Sequence, residues 1–428
     1  MTTPEFHRLD EIDDALLLDA PMDDAAAGGR VEPWRLAAHE RLRPAALVRT
    51  DPDITRLVQS IALERERFQP WIGDAPATWD EVRGVLKHDA DRSRREAAWF
   101  AGVPLAMAVE ADLQRLMQLR NERAAEVMDD SFPVAALRAD ELTVLEFMTW
   151  CDELEPLTRP AFEQMLAWMH RENGGETLEP WDVAYWLARL EPGPESIRPI
   201  GLAKMEEELA LPPTPPGAAV PPPGAPDAEG RFEEWAAIGG HFHRRFRPKE
   251  PPAAGWTTGP WNEAMKRLVG ETMATEPILD RPGTLADRAW IAWRQVYALR
   301  RLMAASLFEL LAYESPGADL HGLWCEIHEH YLGFPRHPER MWAAEARFVT
   351  TPLAGAGLVV GRVMAAQLAE RMLETHPHLL TPETGLFLRE ELWAPGATET
   401  AEAGVERVTG RIPDPEAWVR SVTVAPPS

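Results

Sequence analysis

Residues 285–313 read LADRAWIAWRQVYALRRLMAASLFELLAY and form the longest regularly patterned stretch of this 428-residue chain. Apolar residues return every three or four positions along it, at Leu285, Ala289, Trp293, Val296 and Leu299. This spacing is the period of an α-helix that buries one face, so it predicts a helix over residues 284–313. Strand-like alternation is almost absent elsewhere, and the strong helix formers Ala, Leu, Glu, Arg and Met dominate. We therefore predict an all-α fold with little or no β-structure.

Similar helical patterns extend over most of the chain. Thr78 and Glu81 have the spacing of a capping box, which predicts a helix that begins there and runs towards Arg95. The periodicity of apolar residues predicts the remaining helices of the fold. They cover residues 106–128, 138–152, 158–172, 180–190, 200–210, 230–246, 260–274, 318–331, 352–374, 382–392 and 398–409.

The distribution of acidic residues, helical patterns and prolines along the sequence predicts its domain organisation. Residues 1–75 are acidic and loosely patterned, and we expect them to form an N-terminal arm with short helices. Residues 76–428 are expected to form one large helical domain. Residues 212–230 contain eight prolines and predict an exposed loop in that domain, because proline interrupts both helices and central strands.

Charge and cysteine content exclude several classes of protein. The chain has 69 acidic and 44 basic side chains, a net charge of −25, which disfavours binding to nucleic acids and to anionic membranes. The two cysteines, Cys151 and Cys325, are too far apart for a CxxC motif, so a disulfide scaffold or a thiolate zinc site is not expected. The sequence shows neither a signal peptide nor an apolar run of membrane-spanning length, and we expect a cytoplasmic protein.

Common catalytic signatures are missing from the sequence, which contains no P-loop, GxSxG or HExxH motif. The pair Gly239-Gly240 lies inside a helical pattern, where two glycines favour the close approach of another element. A cluster of polar residues on the helix predicted over 318–331 has the spacing of metal ligands, but a solvated helix face is the favoured interpretation. Its members are His321, Cys325, Glu326, His328 and His330.

Several segments together resemble the helical gluzincin zinc peptidases, such as angiotensin-converting enzyme and the thimet and neurolysin-type oligopeptidases. The resemblance covers roughly residues 80–420 and depends on the order of motifs that are individually weak. It implies a large multi-helix fold around a central cleft. The segments that carry it are Leu119–Ala125 (LRNERAA), Pro180–Trp186 (PWDVAYW), Gly201–Pro213, Phe232–Phe246, Trp261–Ala264 and Glu406–Trp418 (ERVTGRIPDPEAW).

The same resemblance implies that the catalytic motif is degenerate. Family enzymes carry HExGH, in which two histidines bind zinc and the glutamate activates water. The matching residues here are 237–241, AIGGH, so that His241 remains while Ala237 and Ile238 replace the first histidine and the general base. Glu263 matches the third zinc ligand. Residues 352–362 lack the expected oxyanion tyrosine, and the proline-rich loop stands where the family has a substrate-binding strand.

These departures favour a pseudo-peptidase that binds a peptide, a peptide-like or small-molecule ligand, or a partner protein in its cleft. The alternatives are a repurposed enzyme of specialised metabolism or peptide modification, a purely structural helical protein and, least favoured, an active zinc peptidase. No cofactor is required, although zinc or another divalent metal could bind the remnant positions. We expect His241 and Glu263 to be these remnant catalytic or metal positions, and the ligand-contacting residues to be His243, Glu234 and Tyr297.

Overall fold

The computed structural model describes residues 33–193, 200–222, 224, 227–247, 257–275, 284–337, 341–376 and 378–423. Within these ranges the chain folds into helices, with a single two-stranded antiparallel hairpin in which β1 is Trp71–Ile72 and β2 is Ala75–Pro76. The predicted all-α fold class is therefore confirmed. The α-helices are α1 Pro33–Arg49, α2 Pro52–Arg67, α3 Trp79–His88, α4 Arg92–Trp99, α5 Val103–Met128, α6 Phe132–Ala139, α7 Val144–Glu172, α8 Pro180–Leu190, α9 Leu202–Glu208, α10 Ala228–Phe246, α11 Gly259–Thr275, α12 Leu285–Glu314, α13 Leu320–Leu332, α14 Arg347–Thr350, α15 Ala354–Thr375, α16 Pro382–Phe387, α17 Ala401–Thr409 and α18 Pro415–Val422.

Helix beginnings follow local capping chemistry. The predicted capping box at Thr78 is confirmed, since the Thr78 hydroxyl accepts from the backbone of Glu81 and the Glu81 carboxylate accepts from the backbone of Thr78. The helix ends at His88 and does not continue to Arg95 as predicted. The carboxylate of Asp91 accepts from the backbone N–H of Ser93 and caps a separate helix, α4.

Two further boundaries differ from the predictions. The helices predicted over 138–152 and 158–172 are one helix, α7, which begins at the capping box of Thr143 and passes through Pro156 and Pro160. Its buried face holds the helix together across these prolines by packing into the core. At the other end of the chain, the helix predicted over 382–392 becomes a π-helix at Leu388–Trp393, and α18 was not predicted.

The predicted N-terminal arm is described only from residue 33 onward, and residues 1–32 lie outside the described residues. Its helices α1 and α2 contribute Val48, Ile54 and Ile61 to the largest apolar cluster, which centres on α12. The separation of an arm at residue 75 stays a prediction.

A second apolar cluster joins α10, α11 and α15, and glycines bring these helices close together. A Cβ atom on Gly239 would lie 2.8 Å from the carbonyl oxygen of Met265, and one on Gly361 would lie 2.5 Å from that of Pro260. Neither contact is sterically possible, so both positions require glycine. The close approach predicted from Gly239-Gly240 is thus confirmed, and it fixes α11 between α10 and α15. No helix among the described residues is long and apolar enough to cross a bilayer.

Candidate functional site

A cavity of about 300 Å³ occupies the predicted central cleft. One wall comes from α3, the end of α4 and α8, and the other comes from α11, α12 and α15. Helix α12 presents one face to the cavity, because its lining residues recur with helical spacing. They are Trp290, Arg294, Tyr297, Ala298, Arg301, Leu302 and Ala305.

The cavity is basic although the protein is strongly acidic. Eight arginine and lysine side chains line it against four glutamates, and the cations come from α3, α11, α12, α14 and α15. The whole chain, in contrast, carries a net charge of −25. A concave site lined by an excess of one charge concentrates the field in that site. The cleft therefore favours anions, which the surrounding surface repels.

Glu263 lines this cavity and is held by guanidinium groups. Its side chain is 4% exposed, and its Oε1 lies 2.8 Å from Nε of Arg267 and 3.5 Å from Nε of Arg362. Burial disfavours the charged carboxylate, but the nearby cations Arg267, Arg362 and Lys266 outweigh it and lower the pKa of Glu263 below its usual value. Glu263 is consequently an ionised partner in a buried ion-pair network.

His241 faces the proline-rich loop. The ring Nε2 is 3.0 Å from Oγ1 of Thr214, and Thr214 donates in turn to Glu206 at 2.5 Å. Arg245 donates to the same Glu206 oxygen and to the carbonyl of Pro213. Burial lowers the pKa of His241, and the charges of Arg244 and Arg245 lower it further. These contacts tie α10 to the loop, and His241 does not line the cavity that contains Glu263.

The three residues expected to contact a ligand lie in different places. Tyr297 lines the cavity. His243 is buried, its Nε2 lies 3.4 Å from Thr257 Oγ1, and burial lowers its pKa to about 3. Glu234 accepts from Arg231 at 2.8 Å and from the backbone of Gly224 at 3.3 Å. The structure therefore brings together Glu263 and Tyr297, while His241, His243 and Glu234 lie outside the lining of the cavity.

The polar cluster on α13 does not converge on one point. Glu326 and His330 are exposed, as expected for a solvated helix face. The Sγ of Cys325 is 3.7 Å from Nε2 of His321 and donates to the carbonyl of His337 at 3.3 Å. Cys325 lines a side pocket of about 80 Å³, which shares Tyr297 and other residues with the main cavity. His328 stacks on the ring of Trp324 with a centroid distance of 3.6 Å.

The arrangement around Glu263 does not fit a zinc site. Zinc in proteins is held by at least three His, Cys, Asp or Glu side chains, and no group of three such side chains forms within the described ranges. The neighbours of Glu263 are cations, and two guanidinium groups beside a dication would repel it. Within residues 237–241, Gly240 packs against the side chain of Lys266, and a Cβ atom added to Gly240 would lie 3.0 Å from Cγ of Lys266.

The cationic lining of the cavity was not predicted from the sequence, although the sequence contains part of the signal. Arg294 and Arg301 are seven residues apart and share a helix face with Tyr297. This polar face lies opposite the apolar face formed by Ala289, Trp293, Val296 and Leu299. On a helix at the centre of the fold, such a face indicates a polar cavity, because isolated charges are expensive to bury. The sequence could not predict that Arg347 and Arg362 line the same cavity, since they lie on other helices.

Solved structures with a similar fold are peptidases. A structure of PZ peptidase A with an inhibitor superposes with a TM-score of 0.69 at 15% identity, covering 96% of this chain and 82% of that one. A protein assigned as an oligoendopeptidase F superposes with a TM-score of 0.63 at 14% identity, covering 96% and 81%. No protein-family profile matches the sequence, and no curated protein is significantly similar to it. At this level of identity the likeness establishes a peptidase-like fold.

Proposed function

We propose that this chain is a catalytically degenerate relative of the helical zinc peptidases, which binds a peptide or peptide-like ligand in its central cavity without hydrolysing it. One observation carries the proposal. Glu263, which the resemblance assigns as the third zinc ligand, is instead a buried ion-pair partner of Arg267 and Arg362. The guanidinium groups supply the positive charge that a metal ion would supply to this carboxylate in a peptidase.

The residues at the other catalytic positions support the same proposal. Ala237 and Ile238 can neither bind a metal ion nor activate water, and both are apolar parts of α10. His241 is engaged by Thr214 of the proline-rich loop. A zinc-bound water is the nucleophile of the peptidase reaction, and nothing in this arrangement would position it.

The lining of the cavity favours binding over a different catalytic chemistry. Among its described residues there is no His, Cys, Ser, Thr or Asp. A general base works best with a pKa near the operating pH, and two of the lining glutamates, Glu345 and Glu263, depart from that condition. Burial opposes ionisation of Glu345, but Arg301 and Arg347 lower its pKa to about 2, and the pKa of Glu263 is also lowered. A repurposed enzyme stays the second hypothesis, without a specific observation in its favour.

A cytoplasmic location is part of the proposal. Neither Cys151 nor Cys325 forms a disulfide, which is typical of proteins in reducing compartments.

Metal analysis and peptide binding test the proposed function together. The purified full-length chain, incubated with zinc and desalted, is expected to retain much less than one equivalent of zinc and to leave fluorogenic peptides intact. The same protein should show a thermal shift with a library of short peptides. Stoichiometric zinc that is lost in both His241→Ala and Glu263→Gln, together with hydrolysis that a chelator blocks, would overturn the proposal.

A further inference from the structure

Arg347 is a buried cation whose hydrogen-bonding capacity the protein leaves unused. Its side chain lines the central cavity and is 5% exposed. The buried Nε and Nη2 atoms have no hydrogen-bond partner among the described residues. Buried polar groups in proteins are almost always paired, and an orphaned one requires an explanation. For a guanidinium at the wall of a cavity, the simplest explanation is a ligand.

The other cations of the cavity differ from Arg347 in their negative partners, although Nε of Arg294 also has no hydrogen-bond partner among the described residues. The remaining seven all interact with a carboxylate, since six form ion pairs and the charge of Lys266 acts on Glu263. The pairs are Arg83 with Asp80, Lys87 with Glu191, Arg267 with Glu263, Arg294 with Glu233, Arg301 with Glu345 and Arg362 with Glu263. Arg347 is therefore the cation at which a further negative group would be best accommodated.

The backbone around Arg347 makes room for its guanidinium. A Cβ atom on Gly355 would lie 3.1 Å from Nη1 of Arg347 and 2.1 Å from Oγ of Ser306, so only glycine fits there. Glu309 and Glu345 act on Arg347 electrostatically, but the Nε and Nη2 atoms of Arg347 donate a hydrogen bond to neither acid. Glu345 is bonded to Arg301, and Glu309, whose two oxygens have no hydrogen-bond partner either, has its pKa raised to about 7 by burial, against the opposing effect of Arg347.

We propose that the central cavity binds a single carboxylate of a short peptide-like ligand on the guanidinium of Arg347. This inference rests on the proposed function and names the chemistry of its ligand. The planar guanidinium matches a carboxylate through two parallel N–H···O bonds. Since the other arginines are already paired, the site has room for one negative charge, which favours a carboxylate over a phosphate. Trp290, Tyr297 and Leu358 provide an apolar wall for the rest of the ligand.

Matched peptide libraries test the proposal. The full-length chain is titrated with N-acetylated dipeptides that end in a free carboxylate, with the same dipeptides ending in an amide, with amides that carry an aspartate side chain, and with inorganic phosphate. Binding is expected for the free acids or for the aspartyl amides, with neutral amides and phosphate at least about 30-fold weaker, because charge-assisted hydrogen bonds are lost. Comparison of the two acidic libraries distinguishes a terminal from a side-chain carboxylate.

The outcomes separate this inference from the proposed function. Equal binding of acids and neutral amides would leave peptide binding intact and would overturn the role of Arg347. Stronger binding of phosphate would overturn the assignment to a carboxylate. No binding of any peptide library would overturn the proposed function and this inference with it.

Variants locate the effect at Arg347. Arg347→Gln should remove the preference for acids, and Arg347→Lys should retain part of it. Arg371→Gln, at an exposed arginine that pairs with Glu374 and does not line the cavity, should leave the preference unchanged. Arg347→Gln leaves Glu309 buried without its nearby cation and could impair folding. The double variant Arg347→Gln/Glu309→Gln removes both charges and keeps the test decisive. A folded double variant that still prefers acids would overturn the proposal.

Discussion

Replacement of Glu263 by glutamine tests whether this carboxylate serves an ion pair or a metal. The amide keeps the shape of the side chain but leaves Arg267 and Arg362 without their negative partner in a region where Glu263 is 4% exposed. Removal of one member of a buried ion pair costs about 3–5 kcal/mol, and the glutamine oxygen can still accept one hydrogen bond from Arg267. We therefore expect Glu263→Gln to lower the free energy of unfolding by about 3 kcal/mol in metal-free buffer.

Urea denaturation followed by circular dichroism measures this change, with chelator present throughout. Glu229→Gln is the matched control, because Glu229 lines the same cavity but its side chain is 51% exposed and Lys87 keeps two further carboxylate partners. The control should change the stability by less than about 1 kcal/mol, as for exposed pairs.

The pH dependence has a defined sign. The folded-state pKa of Glu263 lies below its ordinary value of 4.5, so its stabilising effect is complete above that value and is lost as the pH falls through the folded-state pKa. The gap between wild type and Glu263→Gln should thus be constant from neutral pH down to about pH 5.5 and narrow below pH 4.5. A Glu263→Gln protein as stable as wild type, or more stable, would refute the ion-pair interpretation, since a vacant metal ligand is a buried charge whose removal stabilises.

Two further substitutions and one labelling experiment test other parts of the structure. Gly361→Ala should destabilise by about 1–3 kcal/mol in urea denaturation, because the new methyl group meets the carbonyl of Pro260 at 2.5 Å. Gly84→Ala is the control, with nothing within 4 Å of the new methyl group, and should stabilise α3 by about 0.5–1 kcal/mol; equal effects would contradict the helix packing. A maleimide should label Cys325, which is half-buried, but not Cys151, which is 1% exposed and whose pKa burial raises to about 12. Mass spectrometry should show one adduct in buffer and two in urea, whereas two in buffer would contradict the packing of α7.

Most helices were predictable because their causes are local. The period of apolar residues over 285–313 and the Thr78 capping box each lie within one helix, and both predictions were close to the structure. Helix boundaries were predicted wrongly where two local signals in the sequence favoured different boundaries. Asp91 begins a new helix within a predicted one, and packing into the core carries α7 through Pro156 and Pro160, which the sequence suggested as a boundary.

The candidate site was predictable only in part. The resemblance pointed to Glu263 and implied that Ala237 and Ile238 replace catalytic residues. The side chains that contact Glu263 and His241 could not be predicted from the sequence. His241 contacts Thr214, 27 residues away, and Glu263 pairs with Arg362 across an interface of two helices. Such pairs depend on how helices pack, and no short-range pattern specifies them.

By itself the sequence determined that this protein is helical, acidic and without an intact zinc-peptidase motif. These properties follow from composition, periodicity and the identity of single residues. Only the tertiary structure decided that Glu263 is neutralised by arginines and that an acidic protein encloses a basic cavity. The physical reason is that a buried charge is stable only with its neighbours, and those neighbours come from α11, α12, α14 and α15, which meet only when the chain has folded.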